Sequence, residues 1–264
     1  MSLGIVIKSP AGIVLAADSR LTLMSTNNDT KETFPVHFDN ATKLLRFGVP
    51  NNFVGAVTFG QAIVEGTGRT AESFLPEFEA RVQSKGRIAI PEFAKELSEF
   101  YAEQWAPSAA NYTGQPMVFI VGGYDEAAPY GRVFSFAIPQ TPAPTELNVD
   151  DFGCTWGGQT STVDRIYRGF DQGLPNRVGD ALDLTPAQRS RLQEVLNPLQ
   201  LSIPVPVMAL QDCVDLAVTL IRTTIAMQQL TVELRGVGGP IDVVTITRTQ
   251  GLQTVKFKEV RVDA

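Results

Sequence analysis

Two short apolar runs at the amino end, residues 3–8 and 13–18, are separated only by Ser9-Pro10-Ala11-Gly12. β-Branched side chains fill both runs and a turn signal joins them, so the chain is expected to open on a hairpin. The same signature closes it, with runs at 241–247 and 254–257 around Gln250-Gly251. Residues 43–47 with 53–59, and 117–121 with 132–138, read as two further strand pairs. Helical spacing lies between these pairs. Ile63, Phe74, Leu75 and Phe78 suggest a helix within 60–83, and Phe93, Leu97, Phe100, Tyr101 and Trp105 mark a better one at 91–105. Val163, Ile166, Tyr167 and Phe170 share one helical face. Thr185-Pro186-Ala187-Gln188 carries a capping box, and its helix should reach Leu196. Residues 210–230 form the longest helical pattern, and the polar stretch 25–40 reads as a loop. Strands that open and close a chain around paired helices fit neither βαβ alternation nor an all-β sandwich. A two-sheet core with helices on its outer faces is expected.

Composition narrows the function. The 264 residues carry 22 Lys+Arg against 28 Asp+Glu, a net charge of −6, so nucleic acid is not the expected partner. No apolar run approaches the roughly 18 residues needed to cross a bilayer, so no membrane association is expected. Lys8, Asp18 and Arg20 interrupt the apolar start where a signal peptide would need it continuous, which points to a soluble cytoplasmic protein. Cys154 and Cys213 are too few for a disulfide framework and badly spaced for zinc. His37 is the only histidine, so neither a Ser-His-Asp triad nor a histidine metal cluster is available. Gly236-Val-Gly-Gly239 lacks the strand before and helix after that a phosphate loop needs. No metal and no cofactor are expected.

Ser2 is the residue with the most chemical potential. Removal of the initiator Met1 before a small residue would leave Ser2 with a free α-amine beside its hydroxyl. That amine, with an ordinary pKa of roughly 7.7–8.0, can take the hydroxyl proton directly or through one water. With a three-residue loop at 9–11, Lys8 pairs with Gly12, Gly4 faces Ala16, and Ser2 stands opposite Asp18 on one face. A one-residue slip would turn Asp18 to the other face. A plain reading is also open, in which Asp18-Ser19-Arg20 ends a strand in a solvated turn.

The segment Gly4-Ile-Val-Ile-Lys-Ser-Pro-Ala-Gly-Ile-Val-Leu-Ala-Ala-Asp18-Ser-Arg20 resembles the opening of proteasome β-type subunits. Asn40-Ala-Thr-Lys43-Leu-Leu resembles the strand bearing that family's essential lysine. Phe119-Ile-Val-Gly-Gly-Tyr-Asp125 with Gly131-Arg-Val-Phe-Ser135 resembles its central hairpin, and Gly238-Gly-Pro-Ile-Asp-Val-Val-Thr-Ile-Thr-Arg248 its closing strand. The resemblance implies an α+β fold, a four-layer αββα sandwich of the proteasome-like N-terminal-nucleophile (Ntn) hydrolases, as a single domain over 1–264 with an insertion around 172–207. It implies Ser2 as nucleophile, Asp18 and Lys43 beside it, Arg20 in support, and a backbone N–H at Val57 facing the oxyanion, with Gly55 the alternative if the strand bulges. It further implies copies of the chain in a ring or double ring, acting on a peptide or small amide. The sequence identifies no unfoldase partner.

Departures from the family pattern keep a second reading open. Serine replaces the usual threonine, the interval from Asp18 to Lys43 is long, and Gly157 stands where the family carries a serine. The family's supporting Asp and Ser fall on Leu234 and Val237, which cannot hydrogen-bond an amine. A shifted register would bring Glu233 or Arg235 there instead. The alternative is a catalytically inactive ring-forming or scaffold protein of the same fold.

Overall fold

The structure, a computed structural model, describes residues 2–110, 112–232 and 234–259. The chain opens on the hairpin β1 (Leu3–Ser9) and β2 (Gly12–Asp18), followed by β3 (Leu21–Thr26), β4 (Thr33–Phe38), β5 (Leu44–Arg46) and β6 (Val54–Gly60). Two two-residue strands, β7 (Ile63–Val64) and β8 (Arg69–Thr70), precede the helices α1 (Leu75–Val82) and α2 (Ile90–Ala109). A meander follows, β9 (Met117–Gly123), β10 (Arg132–Ile138) and β11 (Thr141–Leu147), and then β12 (Gly153–Gly158), which pairs back with β1. Then come α3 (Ser161–Tyr167), α4 (Leu174–Ala181), α5 (Pro186–Leu196) and α6 (Leu210–Leu230), and β13 (Ile241–Thr247) with β14 (Gly251–Lys256) closes the fold.

One sheet has the order β12-β1-β2-β13-β14 and the other β11-β10-β9-β6-β5. The opening hairpin explains why both its runs read as continuously apolar rather than alternating. Leu3, Ile5, Ile7, Val14 and Ala16 face Val163 of α3 and Val214, Ala217 and Ile221 of α6. Val6, Ile13 and Leu15 face Val57, Ile120 and Val133 of the other sheet. Every residue of β1 and β2 is therefore buried. On the far side, Phe78 of α1 and Phe93, Leu97, Tyr101 and Trp105 of α2 cover Ala56, Phe119 and Phe136. The layers are helix, sheet, sheet, helix, the αββα arrangement of the Ntn-hydrolase fold.

The structure corrects several local expectations. The stretch 25–40 is not a loop: β3 and β4 pair along Leu21↔Phe38 to Thr26↔Thr33. Its polar Asn27-Asn28-Asp29 is only the tip, where Asn27 Oδ1 accepts the N–H groups of Asp29 and Thr30 at 2.8 and 3.2 Å. Thr22 and Thr26 among apolar residues on one arm, and Thr33, Phe34, Val36 and Phe38 on the other, carry the strand signal. The edge strand β11 escapes detection because Pro142 and Pro144 lie in it, as an edge permits. Helix within 60–83 is confined to α1 and a short 3-10 turn at Glu72–Phe74 just before it, after β7 and β8. By contrast, Thr185 and Gln188 form the expected capping box on α5.

Within the region 172–207, α4 and α5 are tied by Arg189, which bonds Asp180 at 2.8 Å and the Leu184 carbonyl at 3.0 Å. Among the described residues no helix is long and apolar enough to cross a membrane.

Candidate active site

The opening hairpin turns on two residues, not three. Ser9 pairs with Gly12, Lys8 with Ile13, and Gly4 with Ala17, so Asp18 comes opposite Leu3 rather than Ser2. The one-residue difference does not remove Asp18 from the Ser2 end, because β2 stops there and its carboxylate bonds the neighbouring backbone. Oδ1 accepts the Leu3 N–H at 2.9 Å and the Lys43 ammonium at 2.7 Å. Oδ2 accepts the N–H groups of Arg20 at 3.1 Å and Gly238 at 2.9 Å. Four donors thus satisfy a carboxylate that is 1% exposed.

Lys43 arrives from the other sheet, one residue before β5. Its carbonyl accepts the Thr58 N–H at 2.8 Å, which anchors the lysine against β6. Its side chain is 8% exposed and Asp18 is its ion-pair partner. Burial pulls the Lys43 pKa below the usual lysine value; the Asp18 charge opposes that shift, and the nearby Lys258 and Arg20 cations reinforce it.

Ser2 is buried and held by its backbone: its carbonyl accepts the Gln159 N–H at 2.8 Å. Gly158, at φ +103°, lies so close to that carbonyl that a Cβ would overlap it. Ser2 and Lys43 line one cavity of about 20 Å³, together with Ala41, Thr58, Phe59 and Gly60. That is room for about one water.

Val57 does not line this cavity. Because Thr58 donates to Lys43 and Gln61 donates to Pro116, the residue before β9, alternation along β6 directs the Val57 N–H into the β9 ladder. The same alternation turns the Gly60 N–H away from β9, toward the cavity it lines. Strand β6 pairs with β9 without a bulge, and Gly55 lies deeper, against Leu15 and Leu252.

Arg20 holds Asp39 through Nε and Nη2 at 2.6 and 2.7 Å, and Nη1 reaches the Arg235 carbonyl at 3.2 Å. The guanidinium's hydrogen bonds push the Asp39 carboxyl below the ordinary carboxylate range. Glu233 lies outside the described residues. Leu234 is exposed, and the Arg235 side chain turns to the Gln229 carbonyl at 3.3 Å. Val237 is 1% exposed and packs in the α6 core, its N–H donating to Gln228 Oε1 at 2.9 Å.

Residues that pattern reading passed over surround this centre. Gln228 of α6 donates to Gln159 Oε1 at 2.5 Å, which links the helix to the segment bonding the Ser2 carbonyl. Asp242 is buried on β13 beside Ala17, where its carboxylate pairs with the Lys258 ammonium and accepts the Lys258 N–H at 2.8 Å. Ser19 donates to the same carboxylate at 3.4 Å. The available signal was a lone acid in the apolar run Ile241-Asp242-Val243-Val244, since a buried charge requires a partner. Nothing local marks Gln159 or Gln228.

No protein-family model matches the sequence, and no curated protein does. Solved structures share its fold across almost the whole chain. A Gly-1 mutant of Anbu from Hyphomicrobium sp. strain MC1 is 14% identical with a TM-score of 0.57, covering 100% of this chain and 89% of that one. An Anbu complex from Pseudomonas aeruginosa, described as a helical assembly, is 17% identical with a TM-score of 0.60, covering 99% and 88%. Anbu from Yersinia bercovieri, described as an ancestral β-subunit, is 14% identical with a TM-score of 0.55, covering 97% and 88%. The shared architecture is the proteasome-like Ntn fold, and identities this low speak to fold alone.

Proposed function

We propose that this chain, with Met1 removed, is an N-terminal-nucleophile hydrolase that cleaves peptide or small amide bonds with Ser2 as nucleophile. The reading rests on the buried Lys43–Asp18 pair, 2.7 Å apart, at the cavity that Ser2 lines. Taking two charges out of water costs several kcal/mol per ion, and a hydrophobic pair of similar volume is often as stable. A lysine ion-paired to Asp18 in the cavity that Ser2 lines has an evident chemical use.

In the proposed reaction the Ser2 hydroxyl gives its proton to its own α-amine, directly or through one water, and Oγ attacks the carbonyl carbon. The Lys43 charge favours the developing alkoxide, and the Gly60 N–H faces the oxyanion. Collapse breaks the C–N bond, the leaving amine takes the proton from the α-amine, and water then hydrolyses the acyl ester. Arg20 supports the turn that places Asp18.

The Pseudomonas Anbu complex is described as a helical assembly, which supports copies of this chain as its own partners in a ring or related array. Val237 favours a second reading: it fills with a core side chain the place where the family has a polar group, as in a ring-forming scaffold without chemistry.

Intact-mass spectrometry followed by an epoxyketone probe separates the two. An epoxyketone reacts with hydroxyl and amine together, so the active reading expects loss of Met1 and one adduct mapped to Ser2. Full retention of Met1, or an adduct elsewhere, selects the scaffold.

A further inference from the structure

Gly157 has an unusual neighbour. A Cβ at this position would collide with Phe59 Cζ and Cε2 and lie 2.9 Å from Cε1. A Cβ on Gly4, which pairs with Gly157 across β1 and β12, would come within 3.1 Å of Phe59 Cδ1. The ring of Phe59, projecting from β6 of the opposite sheet, therefore packs against two adjacent glycines, its Cζ end nearest Gly157. One residue further along the same ladder, Leu3 pairs with Gly158, and Gln159 bonds the Ser2 carbonyl. Phe59 thus forms the wall of the cavity shared by Ser2 and Lys43, which is left with about 20 Å³.

We propose that Phe59 is the specificity-determining residue of the Ser2 site, excluding substrates whose acyl-side substituent is larger than about a methyl group. The proposal rests on the Ser2 reading above. Gly4 and Gly157 act as the seat of the ring: bare backbone at both positions lets it approach closely enough to fill the space beside the nucleophile. Among the other cavity residues, Ala41, Ala62 and Ala71 have no side chain long enough to replace the ring if it is removed. The preferred substrates are accordingly amides of glycine- or alanine-like acyl groups.

The test uses two β-lactones on the full-length, Met1-processed protein, one with a methyl and one with a benzyl substituent beside the carbonyl. Ser2 Oγ attacks the lactone carbonyl and the ring C–O bond breaks. The released oxygen takes the proton, so each adduct adds the whole lactone mass. In the parent protein the methyl probe should acylate Ser2 at least about 10-fold faster than the benzyl probe, the scale on which pocket volume discriminates. In Phe59→Ala the ratio should fall to near unity or invert, and Gly157→Ala, which displaces the ring without removing it, should also change it.

A second measurement does not depend on reactivity. Phe59→Ala should bind indole at the vacated space, seen as amide shifts at Gly4 and Gly157, whereas the parent should not. Labelling at Ser2 with an unchanged ratio in both variants, or indole binding equally well to the parent, overturns the Phe59 role while leaving Ser2 as nucleophile. Failure of both probes to label Ser2 in every form overturns the nucleophile and this proposal with it.

Discussion

Asp18 Oδ1 accepts the Lys43 ammonium at 2.7 Å and the Leu3 N–H at 2.9 Å, so a single oxygen joins the two sheets at the end of the first strand. Both side chains are nearly sealed from water, and neither can be removed without stranding the other.

Lys43→Ala should abolish Ser2 labelling and, by leaving Asp18 buried without its counter-ion, cost about 3–5 kcal/mol of stability. Lys43→Met with Asp18→Asn removes both charges and should recover much of that stability with no recovery of labelling. Urea unfolding of the parent, Lys43→Met, Asp18→Asn and the double variant measures the coupling. Full labelling in Lys43→Ala would remove the lysine from the mechanism.

The pH profile of labelling should be bell-shaped. It rises as the Ser2 amine loses its proton, in the ordinary range of roughly 7.7–8.0. It falls as Lys43 deprotonates, below the usual 10.5, because burial disfavours its charged form. The same shift has a stability sign. Between its lowered folded pKa and 10.5 the unfolded chain holds a proton that the native chain lacks, so stability rises with pH through that window. Lys43→Met should flatten this rise in urea titrations.

Removing Lys258 should move the alkaline limb upward, since its charge helps depress Lys43. Lys258→Met also leaves Asp242, 1% exposed, without its ammonium partner and should destabilise the fold. Lys258→Arg should restore both the profile and the stability, whereas an unmoved alkaline limb in Lys258→Met would separate the two lysines.

Arg20→Ala should change stability at neutral pH by only about 1 kcal/mol or less, because the Asp39 side chain is 43% exposed. Its acid dependence should change more clearly. Asp39, depressed by Arg20, stabilises above its unfolded value of 3.8, and that stabilisation is lost as pH falls through its lower folded value. Unfolding followed from pH 5 to pH 2 should therefore be less steep in Arg20→Ala.

Gln228→Leu should cost about 1–3 kcal/mol, because the buried Val237 N–H loses its acceptor and Gln159 loses its helix partner. Slower hydrogen exchange at Val237 in the variant would contradict that account.

Much of this molecule follows from local pattern. Apolar runs with turn residues between them made the opening hairpin, the β9–β10 hairpin and the central strand β13 legible, and Thr185 with Gln188 announced the start of α5. Ser2, Asp18 and Lys43 were legible as candidates through the resemblance to a known family, although the interval from Asp18 to Lys43 is longer than that family's. Register was not legible. Whether Pro10-Ala11 or Ser9-Pro10-Ala11 forms the turn depends on which faces α6 and the second sheet bury, and those contacts come from residues as far apart as Leu44 and Ile221. The exposed hairpin β3–β4 was concealed by the polar tip that terminates it. Phe59 seated on Gly4 and Gly157, the cavity that Ser2 shares with Lys43 and Gly60, and the link from Gln228 to Gln159 all join different layers of the sandwich. Local spacing determines what each strand or helix is; only the packing of two sheets and two helical layers decides which residues meet, because those contacts are set by burial across the layers.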